Sequence, residues 1–126
     1  MNVFGYETKT TFWQDFEVAE IFGYDAIKDT YDRALEEWKE NTIYLTELVM
    51  VLNWKSFYWY DTNEDFSELY ANLYCEADNY ALNNLKGEDL KYYLKTTDWE
   101  DSKMDFTNYN GLKRSKLRWQ TKTNNS

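Results

Sequence analysis

The chain has 126 residues, enough for one domain with a real core, and a single cysteine, Cys75, which excludes an intrachain disulfide and a cysteine zinc cluster. It has no histidine, which removes Ser-His and Cys-His nucleophilic pairs and histidine metal sites. The net charge of −9 is uneven: residues 112–126 hold Lys113, Arg114, Lys116, Arg118 and Lys122 and no acid, whereas residues 1–111 carry the other 9 basic and all 23 acidic residues, −14, which argues against direct DNA binding by the acidic body.

Residues 1–10 (MNVFGYETKT) read as an extended arm in which Val3, Phe4 and Tyr6 pack. Thr11 is placed to cap a short helix running to about Phe22, with Phe12, Phe16, Ala19 and Phe22 on one side and Gly23 at its stop. A second helix is predicted over about 25–40. Ile27, Tyr31, Ala34, Leu35 and Trp38 make its core stripe. Its other side carries five carboxylates in one row, Asp25, Asp29, Asp32, Glu36 and Glu40, with Asp25 also a candidate N-cap.

Asn41 and Thr42 form a joint before the most apolar stretch of the chain, residues 43–60, IYLTELVMVLNWKSFYWY. On a helical wheel its apolar positions go nearly all round, the signature of a buried helix rather than a surface one. Thr46, Glu47, Asn53 and Lys55 interrupt it, so it is not a membrane span. A buried strand over 48–52 is the rival reading. Asp61-Thr62-Asn63 is a turn. It opens like a calcium loop, but Phe66 stands where a glycine is needed and Asn72 where a bidentate Glu is needed.

A fourth helix is predicted over about 64–83, with Phe66, Leu69, Tyr70, Leu73, Ala77, Tyr80 and Ala81 as its apolar stripe and Asp65, Glu68 and Glu76 on another side. Cys75 lies off that stripe and reads as a small residue filling a helix contact. Lys86-Gly87 breaks the pattern, and a short helix over 88–95 turns Leu90, Tyr93 and Leu94 to the core. After Thr97 the periodicity fails, with a turn-favouring pair at Asn110-Gly111. A weak RNA-binding reading attaches to the basic residues 113–122, with Trp119 stacking.

These readings combine into an all-α fold: a compact bundle of about five helices around a central buried helix, with an irregular C-terminal segment. The domain boundaries are 1–97 for the acidic helical domain and 98–126 for the basic-ended segment. The expected core includes Trp38, Leu45, Leu48, Val49, Leu52, Trp54, Leu69 and Leu73. No glycine-rich phosphate loop is present, the acid pairs are too many for any one to mark a catalytic site, and no enzyme activity, cofactor or metal is expected. No charged-then-apolar segment of signal-peptide type opens the chain, so a bacterial cytoplasmic setting without a membrane is expected.

The acidic row carries two readings. One is a solvated face that keeps an acidic protein in solution. The other is imitation of nucleic-acid phosphates: from Asp25 to Glu40 the row spans about 22 Å at helical rise, which matches roughly six or seven phosphates of a DNA strand. The stretch TFWQDFEVAEIFGYDAIKDTYDRALEEWKENTIYLTELVMVLNWK, with ADNYALNNLKGEDLKYYLKTTD, resembles small proteins of unassigned function encoded on phages and conjugative elements of gut Firmicutes. The likeness covers roughly residues 10–98 and is densest around 37–55. It implies a mobile-element accessory protein, and such elements often encode anti-CRISPR or antirestriction inhibitors.

The functional expectation is therefore a non-enzymatic inhibitor of a host defence nuclease, acting through the acidic face. The partner would be a nucleic-acid-handling protein. The alternative is a helical interaction or scaffold module that uses exposed aromatics, a homodimer being compatible with it.

Overall fold

The structure is a computed structural model that describes residues 2–3 and 5–97. Five helices follow a small N-terminal hairpin: β1 (Asn2–Val3), β2 (Tyr6–Glu7), α1 (Phe12–Phe22), α2 (Tyr24–Trp38), α3 (Thr42–Trp59), α4 (Glu64–Asn84) and α5 (Gly87–Thr96). The all-α bundle expected from periodicity is what the chain adopts. The expectations for Phe4 and for residues 98–126, including Trp119 and the basic end, lie outside the described residues.

The central stretch is α3, not a strand. It touches all four other helices, most extensively α4, which folds back along it. Every side chain from Leu45 to Ser56 is buried, so the interrupting polar residues are inside the core as well. The N-terminus of α3 and that of α4 are each set by a capping side chain. Asn41 accepts the Tyr44 amide hydrogen bond at 3.1 Å and Asn63 accepts that of Phe66 at 3.0 Å. Both supply an acceptor to a first-turn N–H that has no partner within the helix. The acid-rich run after Asp61 is thus the cap and first turn of α4. Deeper in this pair, Ser56 and Ser67 exchange hydrogen bonds, each hydroxyl donating to the other's carbonyl.

Gly23 joins α1 to α2 with no loop. Its φ of 104° and ψ of −166° lie where only glycine sits without strain. The chain can therefore reverse within one residue and lay α1 beside α2. This reversal corrects one expectation: Phe22, in the last turn of α1, is 76% exposed rather than in the core. Thr11 is also not a side-chain cap; its hydroxyl donates to Asp15 Oδ2 at 3.0 Å. Of the expected core, Leu45, Leu48, Val49, Leu52, Trp54 and Leu73 are buried, while Trp38 and Leu69 are half-buried against it.

Most described aromatics are core, not surface. Tyr31, Tyr70, Tyr74 and Tyr93 are fully buried, and among the described residues no tryptophan is exposed. An edge-to-face chain runs across the bundle: Trp13 to Tyr58 (5.8 Å), Tyr58 to Trp59 (5.1 Å), Trp59 to Phe66 (5.4 Å) and Phe66 to Tyr24 (5.5 Å). It links α1, α3, α4 and α2 in the geometry that ring quadrupoles favour. The N-terminal hairpin adds Val3 to the core and sets Tyr6 5.6 Å from Trp54. Cys75 is half-buried and packs against the core. Among the described residues no helix is long and apolar enough to cross a membrane.

The buried tyrosines set the alkaline limit of the fold. Burial, followed by the carboxylates of Glu76 and Asp32, raises Tyr31 well above the ordinary tyrosine value of 10.0. Burial, followed by Glu20, raises Tyr70 likewise. Above pH 10 the unfolded chain loses these phenolic protons while the folded chain keeps them. Their stabilisation is thus complete below that pH and is lost as pH rises beyond it. Lys55 acts in the opposite sense, since burial lowers its pKa against the partial support of Glu20, but it is one group against two. The expected result is a denaturation midpoint that falls above about pH 10. Tyrosinate absorbance from Tyr31 and Tyr70 should appear only together with loss of helix signal. Full titration of all tyrosines in a chain that is still helical would contradict it.

Candidate functional site

The acidic row lies on the solvent side of α2. Asp25, Asp29, Asp32, Glu36 and Glu40 are all exposed. Asp25 is not the N-cap, which is Gly23, but stands in the first turn, where the helix dipole favours a negative charge. The helix ends at Trp38, so Glu40 belongs to the following turn and only four members of the row share one helix. Asp25 to Glu36 spans about 16 Å, or roughly five phosphate steps.

Two of the four are not bare charges. Arg33 Nε lies 3.2 Å from Asp29 and Lys39 Nζ lies 3.0 Å from Glu36. Such exposed pairs contribute little and exchange easily for another cation. Hydrogen bonding to Glu36 and its negative charge hold Lys39 above the usual lysine value.

On one flank the row meets α4. Tyr24 and Tyr31 of α2 sit against the acids of that helix. Tyr24 is raised by partial burial and then by Asp65 and Glu68, and Tyr31 feels Glu76 and Asp32 together. The structure thereby brings Asp65, Glu68 and Glu76, a separate side of a separate helix in the sequence, alongside the α2 row. All three are exposed.

On its other flank the row borders an open groove of about 780 Å³ between α1 and α2. Asp29 belongs to both surfaces. Val18 and Phe22 form its α1 wall, Thr30, Arg33 and Glu37 stand on the α2 side, and Trp38 and Tyr44, their rings 4.3 Å apart and tilted by 48°, line it as well. Periodicity did not reveal this groove, because it depends on how tightly Gly23 folds α1 against α2. The signal that was present is the run Val18, Ile21, Phe22, an apolar i, i+3, i+4 set that widens the apolar side of α1 beyond Phe12, Phe16 and Ala19.

Two further polar sites are interior. Glu20 Oε2 accepts hydrogen bonds from Tyr70 (2.7 Å) and Trp59 (3.0 Å) and lies 3.2 Å from Lys55 Nζ, which stands 4.0 Å from the centre of the Trp13 ring. Glu47 accepts from the amides of Lys9 and Thr10 and from the Thr10 hydroxyl. Glu20 joins α1 to α3 and α4, and Glu47 joins the N-terminal arm to α3. Their hydrogen bonds make both structural anchors. Among the described residues no three acidic or thiol groups converge to hold a metal ion.

No family model matches the chain, and no curated protein or solved structure shows significant similarity to it.

Proposed function

We propose that this chain is a non-enzymatic inhibitor of a nucleic-acid-handling nuclease of anti-CRISPR or antirestriction type, an accessory protein of a mobile element that works in the bacterial cytoplasm. The observation that carries the reading is the joined acidic edge of α2 and α4. Four row carboxylates on α2, all exposed, share that edge with Asp65, Glu68 and Glu76 of α4, which packs against α2. A surface of that kind fits a basic nucleic-acid groove and steers association through its charge.

The test is DNA cleavage by a panel of restriction and RNA-guided nucleases of Gram-positive hosts, with and without the protein. Charge reversal at Asp29, Asp32 and Glu36 together should weaken inhibition of the susceptible nuclease by at least about a hundredfold, the sum of three modest charge contacts. The three sites are exposed, so the unfolding midpoint should barely move. Inhibition that survives the triple reversal removes this face from the mechanism, and a panel with no inhibited member removes the function.

Exposed Tyr24, Tyr58, Tyr60 and Tyr92 favour the second reading, an aromatic interaction module or homodimer. Salt separates the two. Docking through exposed charge weakens once the Debye length falls below about 10 Å, whereas an aromatic contact persists.

A further inference from the structure

We propose that the groove between α1 and α2 is a docking site for one basic, amphipathic helix of a partner protein. The inference rests on the inhibitor reading for the identity of that partner, and on the groove itself for the mode of contact.

Three observations point to this occupant. First, α1 leaves an apolar face uncovered: Val18 is 57% exposed, Ile21 79% and Phe22 76%. These side chains succeed one another at helical spacing beside the groove, and an uncovered cluster of this kind on a small protein marks a contact surface. Second, the groove is lined by residues along the whole of α1 and by small side chains. Its floor is small, with Ala19 and Ala34 buried beneath it, and it extends from Phe22 to the Trp38–Tyr44 pair. That is the length of α1, about 15 Å, which accommodates about ten residues of a helix anchored at i, i+3 or i+4, and i+7.

Third, the rim selects for charge. Asp15, Asp29 and Glu37 line it against Arg33 and Lys9, Arg33 is engaged by Asp29, and the acidic row continues outward from Asp29. A second copy of this chain would bring another acidic rim and another row against the first, and like charges repel. A helix with a leucine-type stripe flanked by Lys and Arg meets both the apolar wall and the acidic rim.

The experiment uses the full chain and a fluorescein-labelled helical peptide of about fourteen residues with leucine at i, i+3, i+4 and i+7 and lysine elsewhere, read by anisotropy. A scrambled peptide of identical composition controls for charge alone. The ordered peptide should bind about tenfold or more tighter than the scrambled one, and V18S/F22S should raise its Kd by about tenfold or more. Reversal at Asp15 and Glu37 should weaken it comparably. Equal binding of the two peptides, or insensitivity to V18S/F22S, overturns the proposal. A wild-type dimer in sedimentation that V18S/F22S dissolves overturns it too, by showing that a second copy covers the groove. The peptide assay contains no nuclease. Groove-specific binding with no nuclease inhibited therefore defeats only the functional reading, and inhibition without groove-specific binding defeats only this one.

Discussion

Glu20→Ala is expected to destabilise the fold by about 3–5 kcal/mol, the range for breaking a buried ion pair by deleting one partner. Lys55 is 1% exposed and its carboxylate partner 10%. Three donors from two helices end on that one side chain: Lys55 and Trp59 of α3 and Tyr70 of α4. Truncation leaves an ammonium and two further polar groups without their acceptor in the interior, where desolvation is not recovered from water. The Trp13 ring face, 4.0 Å from the Lys55 nitrogen, supplies only a fraction of the lost attraction.

The same site predicts a rescue. Glu20→Leu with Lys55→Met removes both charges and restores volume, so the double variant should recover more than half of the loss. Urea denaturation of the two single variants and the pair measures the coupling. A Glu20→Ala midpoint that implies less than about 1 kcal/mol would show that this pair does not hold α1 to α3 and α4.

Glu47→Ala is the second large effect, about 3 kcal/mol, set by the loss of several charge-assisted hydrogen bonds at a fully buried position. Glu47 is 1% exposed and takes the amides of Lys9 at 2.9 Å and Thr10 at 2.8 Å and the Thr10 hydroxyl at 2.7 Å. These bonds tie the N-terminal arm to α3 across more than thirty residues of sequence. Hydrogen exchange gives the specific signature: the Lys9 and Thr10 amides should lose protection while those of α4 lose only what the global destabilisation dictates. Unchanged protection at those two amides would assign the tethering of the arm to Val3 and Tyr6 instead.

Both sites show where sequence reading stops. Glu47 and Lys55 interrupt an apolar run at positions that a wheel places inside the bundle. A charge there signals a hidden partner but does not name one. The partners, Thr10 and Glu20, are 37 and 35 residues away, and only the packing of α1 across α3 brings them into range. Phe22 fails in the same way. Its spacing from Phe12, Phe16 and Ala19 puts it near the core side, yet the reversal at Gly23 turns the last turn of α1 toward solvent. Thr11 reads as a cap from residue type alone, but its hydroxyl is taken by Asp15.

The amino-acid order by itself determined that the chain is helical, that α3 is its centre, where α3 and α4 begin, and that the α2 carboxylates face water. Those properties follow from local terms: apolar period, capping side chains, and the cost of burying charge. Tertiary structure alone decided that the α4 acids join the α2 row, that α1 and α2 enclose a groove, and that two carboxylates inside the bundle are anchors rather than surface charges. Each of these depends on the angle and distance between helices. That geometry is set by side-chain packing and by the turn at Gly23, and contacts between residues distant in the chain leave no periodic trace in it.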